Sequence, residues 1–458
     1  GRERLALTGT TVRDCTADGG GILCNGGHVT IAHSHFLRCA TTGMGAGALW
    51  GLNGPTVLVT DTLMESCSGG SLNLMSGQLQ ARNLTVRDSH FDHSSYTGSS
   101  ARTTRGSAGG MTLRTMGRNA VRATIEDSRF EGCSSDTGSG GIVVRRAELV
   151  LRRTVFTDCH ARGTASGGAV HAQAGGVATL LASTINRCTA ARGGCASAET
   201  NGVLSLAESC VLANCTATRG GLLSVVGGNL TVADSTLERG QTWPATRAGE
   251  AEGGCMVVES DENSVPVVGS NVSLVRTVVR GCIAGVAGED NASAILSSQP
   301  CYREGVSYNE QRQWPTLASA GGIYLGGAAS RVTLDASEVT ECVADFGAGV
   351  FISNGILRLE GGSAISSCTA CSVGGGVRSS GGRLHLVGGS AIRDCSAWGH
   401  GGGAIAMGMS GNVELTDATI ARCSAPFGTG AAIHSMDERV VARNLTIAEC
   451  VGPNPRDY

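Results

Sequence analysis

Lysine is missing altogether: every one of the 35 lysine-or-arginine positions is arginine. That excludes Schiff-base chemistry, a lysine general base and a P-loop lysine. Aromatics are scarce at 3%, and 8 prolines stand against 70 glycines in 458 residues, so large aromatic cores do not fill the interior. Long apolar runs are absent too. Gly, Ser, Arg or Asp interrupts each stretch well short of the roughly 20 residues a membrane span needs. With a formal net charge of −3 and 41% hydrophobic residues, the chain fits neither an acidic disordered tail nor a polybasic nucleic-acid binder. It opens at Gly1 without Met or a signal-peptide pattern, as expected of a piece of a longer chain.

What the sequence has instead is a repeat. A Ser or Thr is followed two residues on by Phe or an aliphatic residue, and three further on by Cys. Examples are Thr10, Val12, Cys15; Ser34, Phe36, Cys39; Ser128, Phe130, Cys133; Thr154, Phe156, Cys159; and Ser183, Ile185, Cys188. The unit also closes at Cys342, Cys368, Cys395, Cys423 and Cys450. With two degenerate units, where Ser94 and Gly240 take the Cys position, fifteen rungs lie between Cys15 and Cys450, most of them 24 to 29 residues apart. Glycine pairs such as Gly140-Gly141-Ile142, Gly321-Gly322-Ile323 and Gly375-Gly376-Val377 stand between rungs, and short alternating runs such as Leu149-Val150-Leu151 follow. No segment carries capped helical periodicity, the period is too short for a propeller blade, and the leucine-rich template is missing. The pattern predicts an all-β fold, a right-handed parallel β-helix of about 15 coils, as a single domain over 1–458. In such a stack each slot becomes a ladder with neighbours about 4.8 Å apart. The Ser/Thr, Phe/aliphatic and Cys slots face inward, and charges of both signs, such as Arg13-Asp14 and Arg393-Asp394, face out.

Thirteen of the 19 cysteines occupy the rung slot, and Cys210 occupies a Ser/Thr slot. In-register side chains point the same way, whereas a disulfide needs facing Cβ atoms about 3.8 Å apart. Free buried thiols are therefore expected in these slots. Cys195 and Cys255 each follow a glycine pair, two coils apart, and are expected to be core thiols too. Cys301 and Cys371, in loops on one edge, form the one candidate disulfide. No coupled pair of CxxC motifs occurs, so no metal is expected, nor any other cofactor.

Excursions over 95–108, 241–252 and 283–320 fall between a rung and its glycine pair, which places them on one edge, the usual place for solenoid function. Tyr96, Trp243, Tyr302, Tyr308, Trp314, Phe346, Trp398 and Phe427 collect in this segment of their coils, a candidate contact surface for a protein or glycan. Asn83, Asn214, Asn229, Asn271, Asn291 and Asn444 head Asn-x-Ser/Thr sequons and are candidate glycosylation sites. In the repeated phrase Asn-Leu-Thr, at Asn83, Asn229 and Asn444, an inward Leu would leave the Asn exposed.

Gly399-His400-Gly401 and Phe91-Asp92-His93-Ser94 resemble short elements of polygalacturonases and pectate lyases. The paired Asp, the lysine and the calcium-binding carboxylates of those enzymes are missing, so no catalytic residue is assigned. The glycine pairs at Gly167-Gly168-Ala169-Val170 and Gly402-Gly403-Ala404-Ile405, with the Phe-x-x-Cys step from Phe36 to Cys39, resemble the GGAI and FxxN motifs of chlamydial polymorphic membrane protein passengers. They are also similar to the repeats of large extracellular β-helix proteins of algae and other protists. That resemblance implies an adhesin role. Sequons and the missing lysine favour the protist-type resemblance over the bacterial one. The leading expectation is a noncatalytic extracellular or cell-surface glycoprotein, a structural or adhesive segment of a surface, wall or flagellar hair. A carbohydrate-active β-helix enzyme and a bacterial autotransporter passenger are the alternatives. Neither end carries a cap, so neighbouring coils or subunits are expected there, with no nucleic-acid partner.

Overall fold

The computed structural model describes residues 4–43, 45–92, 107–117, 119–243, 251–285, 318–399, 401–408, 411–436 and 439–452. Every regular element among them is a strand, and the strands stack in parallel as a β-solenoid of about 14 turns. The chain divides into two compact units, Gly1–Cys215 and Thr216–Tyr458. Among the described residues no helix is long and apolar enough to cross a membrane.

A turn of the first unit shows how the repeat makes three faces. Val121–Glu126 and Arg129–Glu131 lie on the first face, Ser134–Ser135 on the second, and Ile142–Arg145 on the third. The bends between them demand left-handed backbone, and Asp127 (φ 50), Gly132 (φ 62) and Arg146 (φ 50) supply it. The Ser/Thr slot follows directly from the first bend. Ser128 Oγ donates to the Glu126 carbonyl (2.6 Å) and accepts from the Leu84 N–H (3.0 Å), so one hydroxyl satisfies two backbone groups that the ladder leaves free. In the second unit Ser337 does the same with Asp335 O (2.9 Å) and Thr277 N (3.0 Å). The Phe/aliphatic slot is interior: Phe130 and Phe156 stack with ring centroids 4.8 Å apart, and both are fully buried. Rung cysteines return their S–H to the carbonyl two residues back, as Cys368 does to Ser366 (3.1 Å).

Two expectations are corrected. The degenerate rung of the first unit is not at Ser94, which lies outside the described residues. Val86 pairs in register with both Met64 and Phe130, so Ser89 takes the cysteine position and accepts from the Cys67 N–H (3.3 Å). Phe91, whose spacing to Ser94 imitates the repeat, sits instead on the second face, paired with Ser135. The second correction concerns thiols. Cys195 is bonded to Cys215, and Cys255 to Cys282, with Cα atoms 5.6 and 5.4 Å apart. Neighbours within a ladder do not bond; the bonds cross between two different slots. The second position of the glycine pair faces the next rung, as shown where it remains glycine: a Cβ on Gly322, Gly349 or Gly376 would lie 3.3, 3.4 or 3.5 Å from the sulfur of Cys342, Cys368 or Cys395. Cysteine in that slot therefore reaches the rung sulfur. Thirteen described cysteines remain free, eleven of them buried.

In the second unit the excursions leave from and rejoin the second face. Gln241–Thr242 pairs with Ile283–Ala284 before them, and Ala251–Glu252 pairs with Ala318–Ser319 after them. The uninterrupted strand Val343–Phe346 spans both halves, pairing with Ile283 and with Ser319. Ala251, Ala284, Ala318 and Ala344 close the wall there in a small buried cluster.

Candidate functional site

Two register columns of the second unit run side by side and enclose a cleft. On the third face Val257, Tyr324, Phe351 and Arg378 succeed one another on adjacent strands. On the second face Arg219, Glu252, Ser319 and Phe346 do the same. Between them lies a cavity of about 340 Å³ lined by Glu252, Ser319, Tyr324, Phe346, Phe351, Ser353 and Arg378. The columns approach closely because the chain between them is glycine. A Cβ on Gly347 or Gly374, both with positive φ, would lie 3.1 or 2.9 Å from the Arg378 Cβ.

The aromatic rings form one wall. Tyr324 and Phe351 stack nearly parallel, with centroids 5.7 Å apart and planes 4° from each other. The Arg378 guanidinium lies 5.1 Å from the Phe346 ring centroid and 6.0 Å from that of Phe351, a cation–π clamp at one end. Burial holds Arg378 below its ordinary value. Burial also pushes the Tyr324 phenol up to about 12, with Glu252 and Glu259 adding to the effect, so it stays a neutral hydrogen-bonding group.

Charge closes the other end. Arg219 bonds the buried Glu252 and reaches Glu259 Oε1 at 2.5 Å. Burial alone would lower the Arg219 value, but Glu259 and Glu252 outweigh it and raise it. The two carboxylates belong to one coil and share one guanidinium.

Of the aromatic residues singled out from sequence, Phe346 lines this cleft. Trp398 and Phe427 form a separate tilted pair, centroids 6.1 Å apart, with Phe427 63% exposed. Trp243 is half-buried and donates its backbone N–H to Ala217 O (3.0 Å). Tyr96, Tyr302, Tyr308 and Trp314 lie outside the described residues. Sequence reasoning missed Tyr324 and Phe351. Their signal was present in the outward position one residue after the buried Ile323 and Val350 that follow their glycines.

The sequon asparagines Asn83, Asn214, Asn229, Asn271 and Asn444 are all exposed, and Asn291 lies outside the described residues. The shared phrase Asn-Leu-Thr hides two geometries. Asn83 and Asn444 sit at left-handed bends and donate from Nδ2 to Asp61 (2.8 Å) and Asp417 (2.6 Å) of the preceding coil, whereas Asn229 starts a strand and stands in register with Asn271. Cys371 is disulfide-bonded, and Cys301 lies outside the described residues.

In the first unit His90, Asp92 and Asp136 bring one potential ligand atom each to within 4.8 Å of one another. Nδ1 of His90 is engaged by Ser134 Oγ (2.8 Å), which leaves Nε2 facing Asp136, 4.0 Å away. Register, not cysteine spacing, assembles this group.

The chain is thus an all-β parallel solenoid carrying an aromatic cleft. No family model, curated protein or solved structure matches it.

Proposed function

We propose that this chain is a noncatalytic extracellular segment, structural or adhesive, of a surface, wall or flagellar-hair glycoprotein, and that the Tyr324–Phe351–Arg378 cleft contacts a glycan. The observation that carries the reading is the flat aromatic stack flanked by Arg378 and the hydroxyls of Ser319 and Ser353, with the nearby carboxylates committed to Arg219. Sugar rings lay apolar C–H faces on such stacks while polar rim groups take their hydroxyls. The disulfides Cys195–Cys215 and Cys255–Cys282 and the five exposed sequons support an oxidising, secretory compartment. The likeness to chlamydial passengers and to algal or protist surface proteins rests on the short repeat motifs alone.

A neutral-glycan array read with wild type and with Tyr324→Ala/Phe351→Ala tests the cleft. Binding by wild type that the double variant loses supports it. No glycan binding, or equal binding by both, overturns it.

One observation favours a second reading. Glu252, Glu259 and Arg219 beside Tyr324 supply the residue types of a carbohydrate-active enzyme. Release of reducing ends from a polysaccharide, abolished in Glu252→Gln and Glu259→Gln, would establish that reading in place of the first.

A further inference from the structure

In the second unit Arg276 forks onto Asp234 and Arg422 onto Asp394, each aspartate on the preceding coil, at 2.6 to 2.8 Å. At the cleft Arg219 takes up Glu252 and Glu259. Arg378, at the opposite end of the same cleft, is held differently. It is half-buried, its guanidinium lies against the Phe346 and Phe351 rings, and among the described residues no carboxylate or other acceptor takes its side-chain N–H groups. The next position along its row is Ala406, and Phe346 is followed on the second face by Val373, so neither neighbouring column brings an acid to it. Burial lowers the Arg378 value with no carboxylate offsetting it, the reverse of the balance at Arg219. A ring face attracts a cation through its quadrupole but accepts none of the in-plane N–H bonds of a guanidinium. That donor edge is left to whatever enters the cleft.

We propose that the cleft selects a sugar ring bearing one acidic group, a uronate carboxylate or a sulfate ester, with the ring on the Tyr324–Phe351 stack and the acidic group on Arg378. The proposal rests on the glycan-contacting reading above and names the class of sugar. Successive strands of the row lie about 4.8 Å apart, so Arg378 stands one spacing beyond the flat stack, where a ring seated on Phe351 and Tyr324 presents a substituent. The guanidinium fork meets two oxygens of a carboxylate or sulfate at once. At the other end Ser319, Ser353 and the Glu252 carboxylate suit sugar hydroxyls and disfavour a second acidic group. A cavity of about 340 Å³ stands at the small end of ligand pockets and suits a single ring. One cation in such a space does not grip a nucleic acid, which is held through many phosphates.

The test measures binding to the full chain of matched pairs: oligosaccharides of glucuronate, galacturonate and mannuronate against their methyl esters, and a sulfated galactan oligosaccharide against its desulfated form. The same pairs are read with Arg378→Gln and with Tyr324→Ala/Phe351→Ala. Wild type should bind an acidic member about tenfold or more tightly than its neutral twin, with a preference that shrinks in added salt. Arg378→Gln should erase the preference and leave the neutral twin's affinity as it was, whereas the aromatic double variant should weaken both members. A preference confined to uronates identifies a carboxylate ligand, and one confined to the sulfated galactan a sulfate ester. Equal affinity for the two members of every pair in wild type, or a preference that survives in Arg378→Gln, overturns the proposal. The wild-type ratio decides even if Arg378→Gln folds poorly. Equal binding of both members that the aromatic variant loses leaves the glycan-contacting cleft standing and sinks this proposal alone; no saccharide bound sinks both.

Discussion

Along the inside of the first unit Phe36, Met64, Val86, Phe130, Phe156 and Ile185 follow one another in a single column, every one fully buried. Residues nearer the outer wall share types but not fates. Glu199 in the first unit faces His171, and although burial pulls its carboxyl upward, His171 with Ser166 and Arg192 holds it down at about 2. Asp345 in the second unit receives, among the described residues, the Ala318 backbone N–H (3.2 Å), and burial pushes it up to about 6. Arginine divides the same way: Arg187 forks onto Asp158, while Arg145 stands in register with Arg114. Inside, the slot decides what a residue does. Outside, the neighbouring coil decides.

The sharpest way to break this contrast is to empty an inner slot. Phe156→Ala should cost about 3 to 5 kcal/mol, because a stacked ring leaves a cavity its neighbours cannot fill. Denaturant unfolding reads it, and an unchanged curve would remove Phe156 from the interior.

Next comes the link between two inner slots. Cys195→Ser should lose about 2 to 4 kcal/mol, the usual contribution of a crosslink closing a short loop. Reductant should abolish the difference between variant and wild type; a difference that survives reduction would assign the loss to packing instead.

The outer carboxyls should then give pH dependences of opposite sign. Glu199, at about 2 against an ordinary 4.5, contributes stability that is complete above pH 4.5 and is lost as the pH falls toward 2. Asp345, at about 6 against an ordinary 3.8, favours the folded state below pH 3.8 and loses that contribution as the pH rises through 6. Urea midpoints across pH 2 to 7 should flatten below 4.5 in Glu199→Gln and between 3.8 and 6 in Asp345→Asn, each by about 3 kcal/mol at most. Identical profiles in all three proteins would erase the distinction.

The smallest effect belongs to the exposed forks. Arg187→Ala should cost no more than about 1 kcal/mol, and less in high salt, since both partners remain half in solvent. A larger loss would mean that the outer bends hold the coils together.

Where the repeat was regular, its residues disclosed their own positions. Ser128, Phe130 and Cys133 carry the same roles as Ser337, Val339 and Cys342, because the hydroxyl, the apolar side chain and the thiol each answer a fixed local demand of the bend. Register failed at Phe91, where a Phe-x-x-Ser spacing imitated the rung although Val86 already held the inner column. The cleft was half legible. Phe346 stood out as a scarce aromatic, but Tyr324 and Phe351 lay unnoticed behind their glycines until their stacking joined them to Arg378.

The residue order by itself determines the period, the all-β parallel stack and which side chains share a slot, because each recurs at the same bend under the same steric and hydrogen-bonding demand. Tertiary structure alone decides which different slots face each other. Cys195 meets Cys215 across a corner, Arg219 gathers Glu252 and Glu259, and Arg114 falls in register with Arg145. Such contacts depend on the cross-section of the coil and on what the adjacent turn carries at that height, and neither is encoded in the spacing of one repeat.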